Sequence, residues 1–557
     1  MIKKPVSVYI NWSTYDELSD NVELTEALAL LQLDQALRWR GLGAQIDYYL
    51  VDAFWYSRAG GLREFRKPHW PDGPDRFFDR CLQNDLKPGL WLPTNNQFPL
   101  AQLDVHPAWA DSWDAERRSF CLFAGGYLAH LLESMDRWYQ RGVRAFKFDF
   151  ANFHAATPAL KRNMLPSEIR AANENALRTG LQAFRSQHPD VVLLGYNGFE
   201  EADTFSRTDL PFYRTIHPRW TEVFDSLYCG DPRPSDVPAM NFWRSKDVYS
   251  DQMVRYFTAI GFPLRSIDNA GFMIGTTGTC YFRGKAAWQG MLLLSLARGG
   301  WVNTYYGNLD LLSDAEVQWF ARAQQLFYHF QEFGQYTGFG ALPGSGQGGY
   351  GFLWEDGQGA VAVVVNPTQK VAQIQLPCAS AGRLLFHDAG FTPVLNAGIV
   401  ALGAEQMALI GFGAYALEQY DFGVMEDVLI PAAITPLDVD WLAQGPKQTE
   451  CHIRLAQPGT LRVIFQQYRP DGRVFRSTGG APPDGVALGR ILSIQASQAG
   501  RPLNVTRHYD KAIWSGLSWA VGEVEIQDST HDVDIVCATT EAEPVILKAQ
   551  VYKIVVC

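Results

Sequence analysis

Four aspartates stand where β-type runs of the sequence end: Asp52 after IDYYLV, Asp149 in AFKFD, Asp231 after SLYCG and Asp268 after FPLRSI. A carboxylate can act as nucleophile, acid or base. A lone aspartate at a strand end more commonly caps the next helix, but four aimed at one mouth, with aromatic residues beside them, point to chemistry. The fourth run is the most informative. In RAFKFDFANF, Phe146, Phe148 and Phe150 alternate with Lys147 and Asp149, so a period of two sends the phenylalanines to one face and the charges to the other. Burying a charge is costly unless it is paired or used. Lys147 and Asp149 therefore read either as an inward ion pair that fixes register or as working groups of a pocket.

These residues share a mouth only if the runs are parallel strands of one sheet. Up to about residue 335 the chain alternates such runs with amphipathic stretches of helical period, the pattern of parallel strands joined by crossover helices. Eight strands are expected, starting at Val6, Ile46, Gly89, Ala145, Val191, Asp225, Phe262 and Trp301. ELTEALALLQLDQALRWR, GGYLAHLLESMDRWYQ, PSEIRAANENALRTGLQAFRS and DAEVQWFARAQQLFYHFQEFG are among the helices that separate or follow them. Eight strands with crossovers predict a closed (β/α)8 TIM barrel, whose catalytic groups gather at the C-terminal strand ends. The stretch 198–223 lacks a helical stripe and is expected to be a long loop with at most a short helix.

Beyond residue 335 the texture changes to short alternating strands broken by turns such as EDGQG and PDGR. The expected organisation is a barrel over 1–335, a β-sandwich over 336–420 and a second all-β domain over 421–557. At 557 residues the chain is too long for one core, and 47% apolar residues support large buried interiors. The net charge of −11 comes without a basic stripe, which argues against nucleic acid as a partner, and no apolar run is long enough to span a bilayer. MIKKPVSVYINW is too short and too polar for a signal-peptide core, so a cytoplasmic chain is expected, with its eight scattered cysteines as reduced thiols. No cysteine or histidine stands at metal-ligand spacing, and His154 is given no role.

In combination, Lys147-x-Asp149, Asp52-x-x-Trp55, Gly89 to Trp91 and Gly230-Asp231 resemble the melibiase-like clan of retaining glycosidases. That clan includes α-galactosidases, α-N-acetylgalactosaminidases and, more distantly, α-glucosidases. GFPLRSIDNAGF is similar to the strand-seven segment of the α-glucosidase branch. The resemblance spans the barrel and, more loosely, the first β domain. It implies double displacement on a terminal α-linked sugar, with Asp149 as nucleophile and Asp231 as acid and then base. A retaining glycosidase needs two such carboxyls, one ionised and one protonated, about 5 to 5.5 Å apart. Lys147 would hold Asp149 ionised and bond a sugar hydroxyl, Asp268 would bind a hydroxyl beside Arg265, and Asn197 sits where the clan binds the 2-substituent. Sugar rings stack on aromatic faces, so Trp55, Trp91 and Tyr196 are expected in the site, with Trp12 either there or in the core.

Two departures bear on this reading. The clan's α-galactosidases carry two adjacent aspartates at the end of strand two, where this chain has Asp52 and Ala53; they also carry an Arg four residues before the acid/base, where this chain has Leu227. Arg233 and Asp236 are the nearest substitutes, and Asp268 is the alternative acid/base. Losing one hydroxyl partner weakens discrimination for galactose and leaves fucose-like, N-acetylated and gluco-configured sugars open. The expected partner is an oligosaccharide or glycoside, with no cofactor, and assembly into a homo-oligomer is left open. The competing readings are a non-catalytic carbohydrate-binding protein on a decayed glycosidase barrel and an α-transglycosylase, which uses the same two carboxylates.

Overall fold

The computed structural model describes residues 2–11, 24–53, 55–96, 104–199, 216–230, 233–268, 272–275, 284–378, 380–443, 445–477, 488–507 and 516–556. Its first unit is a parallel sheet whose strands are β1 (Val6–Asn11), β2 (Tyr48–Val51), β3 (Lys87–Pro93), β4 (Ala145–Asp149), β5 (Val192–Gly195), β6 (Ser226–Tyr228), β7 (Ile267–Asp268), β8 (Phe272–Ile274) and β9 (Val302–Gly307). They lie in the order β7-β6-β5-β4-β3-β2-β1-β9-β8. The ladder therefore has nine strands rather than the expected eight, and it is not closed by hydrogen bonds among the described residues. The physical reason lies in FPLRSID: Pro263 is followed by a 3₁₀ turn over Leu264–Ser266, so that run contributes only two residues of strand. A separate short strand, β8, pairs with β9 instead. One expected strand is thus replaced by two, one at each edge of the ladder. A side-chain bond still links β9 to β7, where Thr304 Oγ1 donates to Asp268 Oδ1 at 2.9 Å.

Helices cover the outside: α1 (Glu26–Gly41), α2 (Asp75–Gln83), α3 (Tyr127–Gln140), α4 (Pro166–Gln187), α5 (Phe242–Ala259), α6 (Trp288–Ala297) and α7 (Asp314–Phe333). As the alternation in β4 requires, Phe146 meets Phe184 of α4 edge to face and Phe148 meets Phe224. Ser313 caps α7 and exchanges bonds with Glu316, which satisfies two otherwise unpaired N–H groups of its first turn. Between β5 and β6, the described residues hold a short 3₁₀ turn at Pro218–Glu222. Over residues 242–254 helix α5 is buried on every face, with the β units on the side that turns away from the sheet.

A six-stranded sheet follows α7. Its strands are Gln335–Gly340, Tyr350–Glu355, Gly359–Val365, Met407–Gly413, Gly382–Gly390 and Gly423–Ile430, in that spatial order. With the three-stranded sheet of Ala372–Gln375, Ile399–Leu402 and Val394–Asn396 it encloses an apolar core that includes Val364, Val400 and Ile410. Strand Gly423–Ile430, read from sequence as part of the last segment, pairs with Gly382–Gly390 in this sheet. The C-terminal unit is a sandwich of two five-stranded sheets around Cys451, Val463, Phe465, Trp519 and Ile535. Among the described residues no group of three or more His, Cys, Asp or Glu could hold a metal ion, and no helix is long and apolar enough to cross a membrane.

Candidate active site

Asp149 ends β4, and the next residue, Phe150, takes a left-handed backbone with φ 53°. A bulky aromatic residue at positive φ is a strained arrangement that the surroundings must enforce. Here the turn brings the Phe150 N–H back onto Asp149 Oδ1 at 2.9 Å. Two further donors reach the same oxygen, the backbone N–H and the side-chain Nδ2 of Asn197, both at 3.1 Å. Trp91 Nε1 donates to Oδ2 at 3.2 Å. Four N–H donors on one carboxyl suit its ionised form, which only accepts. The ends of β4 and β5 must press together for this: Ala151 N–H bonds to Asn197 O, and a Cβ on Gly198, whose φ is +100°, would collide with the Ala151 backbone.

Beside Asp149, on the same face of β4, Lys147 reaches across the sheet. Its Nζ lies 2.8 Å from Asp52 Oδ2, and both side chains are buried. The other oxygen of Asp52 accepts the Ala53 N–H at 2.8 Å. The Lys147 ammonium also sits over the Tyr196 ring, 4.2 Å from its centroid. Below it runs a polar chain: Tyr306 OH donates to Tyr196 OH at 2.9 Å, and Tyr196 OH donates to Asp268 Oδ2 at 2.5 Å. Burial first, and the Asp268 carboxylate second, push both phenols well above their ordinary range, so they stay protonated donors. Asp268 is fully buried beneath this chain.

The structure thus brings Asp52, Trp91, Lys147, Asp149, Tyr196, Asn197 and Asp268 together at the C-terminal ends of the strands. It places two expected site residues elsewhere. Trp55 is 2% exposed in an aromatic cluster with Phe65 and Trp138, its indole N–H bonded to the Trp91 carbonyl at 2.7 Å. Because β2 ends at Val51, the chain has already turned away by residue 55. Arg265 lies exposed on the 3₁₀ turn at the N-terminal side of β7, over Trp301, rather than beside Asp268. Phe150, read as an outward residue of β4, is half-buried with its ring edge to face with Trp91, because the left-handed turn breaks the alternation. Asp231 and Trp12 lie outside the described residues. Leu227 is buried core, and Asp236 pairs with Arg476 of the C-terminal sandwich. Phe150, Thr304 and Tyr306 join the group at the strand ends without having been expected there. The last two were legible in VNTYYG, where a period of two sends Thr304 and Tyr306 inward and Tyr305 outward to Tyr328 of α7.

No protein-family model matches the chain, and no curated protein matches it. Solved structures do. The α-galactosidase of Lactobacillus brevis is 13% identical, with a TM-score of 0.51 over 74% of this chain and 55% of that one. The GH36 α-galactosidase AgaB of Geobacillus stearothermophilus is 11% identical, with a TM-score of 0.51 over the same shares. A variant of AgaA from the same organism, solved with stachyose, gives 11% identity and a TM-score of 0.51 over 74% of this chain and 55% of that one. The chain therefore shares a fold with these enzymes while spanning about 55% of their length.

Proposed function

We propose that the chain is a retaining glycoside hydrolase that removes terminal α-linked sugars, most closely of the α-galactosidase type, with Asp149 as nucleophile and Asp231 as acid/base. The observation that carries this reading is the setting of Asp149, a strand-end carboxylate that accepts N–H donors from Trp91, Phe150 and Asn197 beside a buried Lys147–Asp52 pair. Groups held this firmly meet the geometric demand of nucleophilic catalysis, in which a small displacement of the attacking atom is costly.

In the first step an oxygen of Asp149 bonds to the anomeric carbon as the glycosidic C–O bond breaks, and Asp231 gives its proton to the departing oxygen. In the second, Asp231 takes a proton from water, whose oxygen displaces Asp149 and restores the starting configuration. Lys147 and Asp52 bind sugar hydroxyls, Asn197 the 2-substituent, and Tyr196 supports the Lys147 ammonium. Ala53 supplies no carboxylate, so the hydroxyl contacts on this side rest on Asp52 and Lys147. Fucose-like, N-acetylated and gluco-configured sugars belong in the substrate panel with galactose for that reason. The stereochemistry of the product, followed by NMR on an α-glycoside the protein cleaves, tests the reading. Release of the α-anomer first agrees with it, and release of the β-anomer removes it.

A further inference from the structure

The segment 233–241, which begins two residues after Asp231 and ends at the cap of α5, forms neither helix nor strand. Its backbone polar groups still need partners, and many come from outside the barrel. Trp519 Nε1 donates to Ser235 O at 2.9 Å, Gln466 Nε2 to Asp236 O at 2.7 Å and Gln369 Nε2 to Pro238 O at 3.0 Å. The N–H groups of Met240 and Asn241 donate to the carboxylate of Glu405 at 2.8 and 3.0 Å. Arg462 of the sandwich bonds Glu405 and Gln369 in turn. The side chain of Asp236 is gripped as well: Arg476 meets both its oxygens through Nε and Nη2, and Ser518 Oγ donates to Oδ1 at 2.9 Å. Apolar contacts follow the same path, because Ala239, Met240, Phe242 and Trp243 belong to the core of the C-terminal sandwich.

Simple docking of a separate domain would join two surfaces that are each already complete. Here a barrel segment is completed by the other units, and in sequence it follows closely on the residue assigned as acid/base. We propose that the C-terminal sandwich is a positioning element of the active site: through Arg476, Gln466 and Trp519 it clamps residues 233–241, and the acid step of the proposed reaction depends on that clamp. This inference rests on the proposed function for the identity of the acid/base. Arg476, Gln466 and Trp519 act as positioning residues and touch no substrate.

A misplaced acid has a kinetic signature that general destabilisation lacks. Protonation matters most when the leaving group is a poor one, whereas an activated phenol departs without it. General acid catalysis contributes about 10²- to 10⁴-fold, so partial displacement of the acid should cost about tenfold or more on poor leaving groups and less than about threefold on activated ones. The test uses the full chain and Arg476→Met, with Gln466→Leu and Trp519→Phe as milder variants should the first fold badly. It combines amide exchange over 233–241 with kcat/KM for aryl α-glycosides graded by leaving-group pKa. The expected result is faster exchange in that segment together with a loss that steepens with leaving-group pKa. Arg476→Lys should rescue it in part, since lysine restores the charge but not the two-pronged contact. Unchanged exchange overturns the clamp, and faster exchange with a uniform loss or none overturns the positioning role. A wild type silent on every glycoside removes the proposed function and with it the acid-positioning role, while the exchange data still decide the clamp.

Discussion

Lys147 Nζ and Asp52 Oδ2 lie 2.8 Å apart, joining β4 to the end of β2 across β3, with 6% and 2% of their side chains exposed. Breaking such a pair by removing one partner strands a buried charge, at a cost of about 3 to 5 kcal/mol. Lys147→Met should therefore lower the melting temperature sharply, and the double variant with Asp52→Asn should recover part of the loss. A double-mutant cycle on thermal midpoints checks this. Additive losses would mean that the two groups are not coupled.

Asn197 places both its backbone N–H and its Nδ2 on Asp149 Oδ1. Asn197→Asp replaces one donor with a second carboxylate. Like charges raise one another's pKa, so the acidic limb of the pH–rate profile should move toward neutral pH while the fold persists. An acidic limb that stays in place would separate Asn197 from the rate-determining carboxylate.

Trp55 and Phe150 should differ in what their loss affects. Trp55→Phe removes the N–H bonded to the Trp91 carbonyl inside a closed aromatic cluster, which predicts about 1 to 3 kcal/mol less stability and an unchanged KM. Phe150→Ala removes a half-buried ring beside Asp149, which predicts a higher KM with a smaller change in melting temperature. The reverse pattern would return Trp55 to the site.

Burial, helped by the nearby Arg63 and His106, lowers the pKa of His130 from 6.5 to about 4. Its imidazole stacks on Trp109, and Nε2 accepts the Leu62 N–H. Between pH 6.5 and 4 the unfolded imidazole holds a proton that the folded one does not. Stability from this group is therefore full above pH 6.5 and is lost as pH falls toward 4, at up to about 1.4 kcal/mol per pH unit. Thermal midpoints of wild type and His130→Gln across this range should converge on acidification. Parallel curves would show that His130 does not titrate in this way.

The strand positions were legible because parallel strands and crossover helices differ in period, and β4 announced its inward Lys147 and Asp149 by alternation alone. The breaks in that alternation were not legible. Pro263 suits the first residue of a strand as well as the start of a 3₁₀ turn, and this ambiguity cost both the closed eight-strand ladder and the placement of Arg265. Phe150 was misplaced for a related reason: its positive φ is imposed by the packing of β4 against Asn197 and Gly198, a contact made across the sheet. Trp55 was drawn from the mouth by Phe65 and Trp138, which approach only in the folded chain. The role of residues 233–241 was hidden likewise, since their partners lie more than a hundred residues away.

Asp149 is proposed as the nucleophile of an α-glycosidase. Hydrolysis of aryl α-glycosides in the galacto, N-acetylgalactosamino, gluco, fuco and arabino series should be measured side by side for wild type and Asp149→Ala. Wild type should turn over at least one series, and the variant should lose that turnover while melting as wild type does. Full activity in Asp149→Ala, or no hydrolysis of any series by wild type, would overturn the assignment of Asp149.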